Sequence, residues 1–153
     1  MKAEELMIGD WARVNHDGLC IKKDTIVVIG GIDADNSLAG RGLIGSAHCR
    51  PLDDDQFEGG VWCEYLEPIP LTAGILEKNG FTHYGESWYL PDEEYVMVGF
   101  HMYNTIIHVK KGINCFHWEI PCGYRSSNSI RYAYVHELQH ALRLCGIEKE
   151  ITI

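Results

Sequence analysis

The sequence predicts an α+β protein, with an N-terminal small SH3-like β-barrel followed by an antiparallel sheet of about four strands with two helices. Residues 1–66 contain four or five short strand patterns separated by glycine-rich turns, which is typical of a small half-open barrel. Residues 67–153 contain closely spaced strand patterns that only hairpins can connect, flanked by two segments with helical spacing. The prolines on either side of Ile69 form a stiff connector between the two parts, which we expect to pack as one unit.

The first part begins with a helical turn and continues with short strands. These elements are predicted at residues 4–8, 11–14, 19–22, 25–29, 43–44 and 61–65. Residues 25–29 are rich in β-branched side chains, which suit a pleated surface. Gly30 and Gly31 follow directly and allow this strand to bend or bulge.

The second part begins and ends with a helix. Thr72 is the predicted N-cap of the first helix, and Asn79 with Gly80 supplies its end. Gly146 is the residue expected just after the last helix. Four strands are predicted between the helices, at residues 88–90, 95–102, 105–110 and 115–120.

Composition and charge restrict the class of partner. The 153 residues include 13 basic and 22 acidic side chains, a formal net charge of −9. Residues 1–66 hold 6 basic and 12 acidic side chains, a net charge of −6, and the remaining residues hold 7 and 10, a net charge of −3. Neither part is basic, so nucleic acid is not expected as a direct partner. No apolar run is long enough for a membrane span and no signal peptide is apparent, so we expect a cytoplasmic protein.

Six cysteines are spread along the chain without a C-x-x-C pair. The sequence therefore supports neither a zinc-ribbon nor a thioredoxin-like interpretation. In a cytoplasmic protein an even cysteine count is weak support for disulfides. We expect these residues to be structural free thiols that pack as small apolar side chains.

The segment HELQH at residues 136–140 matches the H-E-x-x-H pattern of zinc metalloproteases. In that pattern a helix offers two imidazoles, one turn apart, to Zn²⁺, while the glutamate acts as general base. A zinc-dependent, metallopeptidase-like hydrolase is therefore the alternative function for this chain. In it, His136 and His140 would bind zinc and Glu137 would activate the bound water.

Helical geometry favours a structural role for this segment instead. Residues three and four apart share a face, and the apolar residues of one face are Tyr134, Leu138, Ala141, Leu142 and Cys145. His136 and His140 fall roughly opposite and are expected to point towards solvent. The extended zinc pattern would have glycine and histidine where this chain has Arg143 and Gly146. An upstream third ligand such as His117, Glu119 or His108 is possible, but the spacing selects none of them. We therefore predict no catalytic residue and no cofactor, with zinc as the alternative.

A second cluster lies on the last predicted strand. Cys115, His117 and Glu119 alternate along it and share one face. Such a set is a conceivable metal or Cys/His site, and it is the best candidate to complete the HELQH site if the two meet. The other interpretation is a sheet with one polar face.

Three short segments occur in a recognisable order and spacing. They are ELMIGDW at residues 5–11, LEPIPLT at residues 66–72 with Ile75, Leu76, Gly80 and Phe81 after it, and YVHELQ at residues 134–139. Together they resemble a family of small uncharacterised proteins from gut bacteria and their phages or mobile elements. The resemblance covers the landmarks of nearly the whole chain and implies no assigned activity. It stops at Gln139, so it does not include His140.

The function that the sequence favours is a non-catalytic protein-binding or adaptor module. A small barrel joined to an α+β half by a stiff linker is suited to a protein or peptide partner, which exposed sheet edges and tyrosines would contact. The acidic charge favours a basic partner protein.

Overall fold

In the residues that the structure describes, the chain forms two antiparallel sheets of five strands each and two α-helices, which confirms the α+β class. This computed structural model describes residues 1–17, 20–33, 45–54, 58–91, 93, 95–100, 104–121 and 133–153. Tertiary contacts divide the chain into two compact units, Met1–Ile69 and Pro70–Ile153. Each unit contains one of the sheets.

Five strands build the sheet of the first unit. They are β1 (Trp11–Val14), β2 (Ile26–Asp33), β3 (Ser46–Pro51), β4 (Gly59–Trp62) and β5 (Leu66–Pro68). Their order in the sheet is β4-β3-β2-β1-β5, and all neighbours are antiparallel. A 3-10 turn at Cys63–Tyr65 joins β4 to β5. Alternating residues of the strands, such as Val14 and Ile29, are fully buried in the core of this unit.

This sheet does not confirm the predicted SH3-like barrel. Among the described residues β4 and β5 are both edge strands, so the sheet is not closed. The return strand predicted at residues 19–22 is wrong for the described residues 20–22, because β1 pairs with β2 instead. Asp24 has a φ of 66°, which aspartate tolerates better than most residues, and its N–H donates to the Val14 carbonyl at 2.7 Å to form a turn. The strand predicted at residues 43–44 lies outside the described residues.

The pairing of β2 is irregular at its two glycines. Its register with β3 shifts between Ile29 and Gly31, which confirms the irregularity predicted at Gly30 and Gly31. The sequence does not predict β3 itself. The buried positions of β3 include Ala47 and Cys49, which lack the β-branched or aromatic character of a typical strand.

The ELMIGDW segment forms the entry to β1. Asp10 is fully buried, and its Oδ2 accepts a hydrogen bond from the Met7 N–H at 2.7 Å. Its backbone N–H donates to the Met7 carbonyl at 3.1 Å, while Gly9 adopts a φ of 87° and donates to the Ile29 carbonyl at 2.6 Å. The turn requires a residue that tolerates positive φ followed by a short carboxylate, which gives Gly9 and Asp10 a structural role.

The second unit contains a five-stranded sheet between two helices in the chain. Its elements are α1 (Ala73–Lys78), β6 (Thr82–Tyr84), β7 (Ser87–Tyr89), β8 (Tyr95–Phe100), β9 (Asn104–Lys111), β10 (Asn114–Pro121) and α2 (Val135–Leu144). The strand order is β10-β9-β8-β7-β6, with antiparallel neighbours throughout. The prediction of about four strands is therefore short by one.

β6 is the strand that the sequence does not predict. Thr82, His83 and Tyr84 are all exposed, so the segment lacks the alternation of a half-buried strand. It exists because a two-residue hairpin places it against β7, with Tyr84 opposite Ser87. Gly85 occupies the first loop position with a φ of 65°, which is the glycine position of a type II′ turn.

The ends of α1 are those that the sequence predicts. Thr72 Oγ1 accepts a hydrogen bond from the Ile75 N–H at 3.3 Å and caps the first turn. Gly80 follows the helix with a φ of 80°, and the Phe81 N–H donates back to the Leu76 carbonyl at 3.0 Å. This pattern is a Schellman motif, which satisfies carbonyls that the helix leaves open.

The same motif ends α2. Gly146 has a φ of 71°, and its N–H donates to the Arg143 carbonyl at 2.9 Å. The Ile147 N–H donates to the Leu142 carbonyl at 2.9 Å, and Ile147 is buried against the unit. The predicted end of the last helix at Gly146 is therefore confirmed.

Asn79 ties the last residues of the chain to the end of α1. Its Nδ2 donates to the Ile75 and Thr152 carbonyls, both at 2.7 Å, and its Oδ1 accepts from the Thr152 N–H at 2.7 Å. Lys78 Nζ donates to the Ile153 carbonyl at 2.5 Å. The buried amide thus satisfies both its donor and its acceptor groups.

The sheet of the second unit has one buried face and one outer face. The buried face includes Val96, Val98, Ile107 and Val109. α2 packs on this face, where Cys145 Sγ donates to the Val109 carbonyl at 3.5 Å. Neither helix of the described residues has the length and apolar character to cross a membrane.

Candidate functional site

The start of α2 is held by the proline connector. The Leu71 N–H donates to the Ala133 carbonyl at 2.8 Å, and Pro70 forms an isolated antiparallel bridge with Tyr134. Both Leu71 and Ala133 are buried. This short pairing fixes the direction in which the HELQH segment enters its helix.

The glutamate of HELQH caps its own helix. Glu137 Oε2 accepts a hydrogen bond from the Tyr134 N–H at 2.9 Å. Tyr134 is the N-cap residue and Glu137 is the third residue of the helix, so the contact is the carboxylate half of a capping box. A carboxylate at this position also interacts favourably with the helix dipole. The geometry gives Glu137 a structural role, which the sequence could have indicated from its place three residues after the cap.

His136 does not point towards solvent as its helical position predicts. Only 7% of its surface is exposed, and its ring stacks on Tyr134 with centroids 5.7 Å apart and planes 12° apart. Its Nδ1 atom is buried and makes no hydrogen bond within the described part of the chain. His140 is half-buried, and its ring meets that of His136 edge-on at 5.6 Å. The expectation that His136 points towards solvent was wrong. All residues from Val135 to Gln139 are buried, so the first turn of α2 is covered on its polar side as well as on its apolar side.

The two imidazoles of α2 are close enough to approach one ion, but a zinc site needs further ligands. In the part of the chain that the structure describes, no group of three or more His, Cys, Asp or Glu side chains is placed to hold a metal ion.

The second predicted cluster lies on the other side of the sheet. Cys115, His117 and Glu119 are all exposed and share one face of β10, as expected from their alternation. Cys145 of α2 contacts the backbone carbonyl of Val109, and Val109 pairs with Phe116 of β10. The three side chains of the cluster alternate with Phe116 along the strand, so they point away from α2. The structure therefore does not bring this cluster to the HELQH segment.

Four rings form a continuous series on this outer face, one from each strand from β7 to β10. We call it the ring ladder, and it consists of Tyr89, Tyr95, His108 and His117. Tyr89 meets Tyr95 edge-on with centroids 6.2 Å apart, and Tyr95 meets His108 at 4.9 Å. His108 meets His117, its direct partner in the β9–β10 register, at 5.1 Å.

The ring ladder is partly open to solvent. His117 is exposed, Tyr95 is 36% exposed, and the other two rings are half-buried. Desolvation lowers the pKa of His108, and the nearby His117 and Lys110 lower it further. Cys115 Sγ lies 3.5 Å from His108 Nε2 at the edge of the ladder. The ladder thus combines apolar area with groups that donate and accept hydrogen bonds.

The sequence indicates Cys115, His117 and His108 as possible ligands, but it does not single out Tyr89 or Tyr95. Their alternation places each on a face, but only the register across four strands shows that they meet.

Comparisons with models of protein families, with curated proteins and with solved structures find no match.

Proposed function

We propose that this chain is a non-catalytic protein-binding module and that the ring ladder contacts the partner. The observation that carries the proposal is the series of four adjoining rings on the outer face of an otherwise well-packed sheet. Tyrosine and histidine rings provide contact area at a low cost in conformational entropy, and their polar atoms orient the partner.

The edge of the same sheet supplies a second element of the proposed interface. β6 has a strand neighbour on one side only within the described residues, and all three of its side chains are exposed. An extended peptide can add to such an edge through backbone hydrogen bonds, while the rings select its side chains. We therefore propose an extended peptide or a strand of a partner protein as the ligand.

We propose that the partner is basic. The net charge of −9 attracts a basic protein during encounter and opposes the approach of a phosphate backbone. Charge of this kind acts mainly on the rate of association, and rings of the ladder would then determine how long the complex lasts.

For the first unit we propose a half-open barrel of SH3 type. Its support is the strand order, in which β1 to β4 are sequential neighbours and β5 returns beside β1 after a 3-10 turn. The bulge at Gly30 and Gly31 supplies the bend that a barrel strand needs. Closing a barrel would require β4 and β5 to approach each other.

Selection from a displayed library of random peptides tests the binding proposal. We expect basic peptides to be enriched, and we expect Tyr95→Ala to weaken their binding about tenfold, an effect of about 1.4 kcal/mol. Trp118→Ala is the matched control, because Trp118 is 40% exposed on β10 and lies on the face opposite the ring ladder, away from β6. Peptides whose affinity is the same for the wild-type chain and for Tyr95→Ala would contradict the assignment.

The zinc hydrolase remains the second candidate because the His136 and His140 rings adjoin at 5.6 Å. Metal analysis of the chain purified without added zinc separates the two functions. A stoichiometric metal that is lost in His140→Ala, but kept in His83→Ala, would support the hydrolase. We expect no such metal and no hydrolysis that is lost in Glu137→Gln.

A further inference from the structure

Cys115 is an exposed thiol beside an imidazole. Its Sγ lies 3.5 Å from Nε2 of His108, within hydrogen-bonding distance for sulfur. Cys115 also pairs directly with Lys110 across the β9–β10 ladder, so a thiol, an imidazole and an ammonium group share one side of the sheet. Lys110 is exposed as well.

From this geometry we propose that Cys115 is a covalent modification site, a nucleophilic thiol that reacts with small-molecule disulfides while His108 accepts its proton. A cysteine beside an imidazole that can accept its proton is the arrangement of a base-assisted nucleophile. The site is independent of the identity of any partner protein, because it needs only the outer face of this sheet.

The ring of His108 is positioned to accept that proton. Tyr95 and His117 contact it edge-on at 4.9 Å and 5.1 Å, which orients Nε2 towards the thiol. Burial lowers the pKa of His108, so the imidazole is neutral near pH 7 and has a free lone pair. The titratable groups that face it within the described residues are Tyr95 of β8, Lys110 of β9, and Cys115, His117 and Glu119 of β10.

The buried cysteines have the opposite environment. Burial raises the pKa of Cys49 to about 12, with a further contribution from Cys63. Burial likewise raises the pKa of Cys63 and of Cys145. These thiols stay protonated and shielded near neutral pH, whereas Cys20 is exposed and provides a reference thiol on the same chain.

The proposed reaction is a thiol–disulfide exchange. His108 Nε2 takes the proton of the Cys115 thiol, and Sγ attacks one sulfur of the small disulfide. A new S–S bond forms as the S–S bond of the small disulfide breaks, and the departing sulfur leaves with the electron pair. That sulfur then takes up the proton from His108 and is released as a thiol. Cys115 is oxidised, and the small disulfide is reduced.

The probe for this proposal is 2,2′-dipyridyl disulfide at pH 7, with each modified cysteine identified by peptide mass spectrometry. We expect Cys115 to react about tenfold faster in the folded chain than in the same chain unfolded in urea. Exposure alone cannot produce that result, because an unfolded chain exposes the thiol fully. We expect Cys20 to show no such acceleration on folding.

Variants of the neighbouring side chains assign the cause. His108→Asn is expected to slow modification of Cys115 about tenfold while Cys20 is unaffected, and Lys110→Gln is expected to slow it less. His83→Asn is the matched control, since it removes an exposed imidazole from β6, at the far edge of the sheet. The proposal is overturned if folded Cys115 reacts no faster than unfolded Cys115, a comparison that needs no variant. It is equally overturned if a folded His108→Asn chain reacts at the wild-type rate.

Discussion

The second unit carries two pairs of histidines with nearly the same ring separation and opposite surroundings. His136 and His140 lie on α2 with ring centroids 5.6 Å apart, and His136 is buried. His108 and His117 lie on the outer face of the sheet with ring centroids 5.1 Å apart, and His117 is exposed. Proximity of two imidazoles is common to both pairs, so their surroundings must decide what each can do.

The comparison shows that a motif defines which side chains are adjacent and leaves open whether a ligand can reach them. The α2 pair is built into the start of a helix, where Tyr134 stacks on His136 and Glu137 caps the first turn. Within the described residues, the outer pair contacts Tyr95 and Cys115 of the neighbouring strands, and His117 is exposed. The surroundings therefore differ, because Tyr134 covers His136 whereas solvent reaches His117.

The largest effect on stability is expected when one histidine of each pair is replaced by aspartate. His136→Asp puts a carboxylate at a buried position and should lower the free energy of unfolding by about 3 kcal/mol or more. His117→Asp places the same group at an exposed position and should change stability by less than about 0.5 kcal/mol. Urea unfolding of both variants, followed by circular dichroism, measures the difference.

Equal losses in the two variants would contradict the contrast in surroundings. A small loss in His136→Asp would show that the start of α2 opens readily, and the zinc interpretation of His136 and His140 would then gain support. Leu138→Ala is the reference for disruption of the same helix, because Leu138 is fully buried and should cost about 2–5 kcal/mol.

A smaller effect is expected from the two glutamates that accompany the pairs. Glu137→Ala removes the carboxylate that accepts the Tyr134 N–H and should cost about 1–2 kcal/mol of stability. Glu119→Ala removes an exposed carboxylate from the outer face and should cost less than about 0.5 kcal/mol. Thermal and urea unfolding report both values. If Glu137→Ala were as mild as Glu119→Ala, capping would not explain the glutamate of HELQH.

Local signals in the sequence were sufficient for three of the four ends of the two described helices. Thr72 identified the start of α1, and Gly80 and Gly146 identified both helix ends, because each occupies a backbone position with its own chemical requirement. Gly31 marked the irregularity of β2 for the same reason. These residues act within a few positions of themselves, so no tertiary information is needed.

The surroundings of both histidine pairs could not be predicted in the same way. Helical periodicity gave the apolar stripe of α2 correctly but could not show that the opposite side of its first turn is also covered, so the burial of His136 was missed. The ring ladder depends on the register of four strands, and His108 meets Tyr95 only because β8 and β9 pair as they do. β6 was not predicted because its three exposed residues show no alternation of buried and exposed side chains. A hairpin turn at Gly85 holds this strand against β7.

The smallest expected effect is the pH dependence that the outer pair contributes. Because burial lowers the pKa of His108 in the folded chain, the unfolded chain binds a proton more readily than the folded chain. The contribution of His108 to stability is then fully present above the unfolded pKa, about 6.5, and is lost as the pH falls towards the lower folded pKa. NMR titration of the imidazole resonances should place the His108 midpoint below about 6.5. In His108→Gln, the decline in stability between neutral and mildly acidic pH should be shallower than in the wild-type chain. A midpoint at or above 6.5 would contradict the desolvation of His108 by its neighbours on the outer face, and His108 would then contribute no loss of stability as the pH falls.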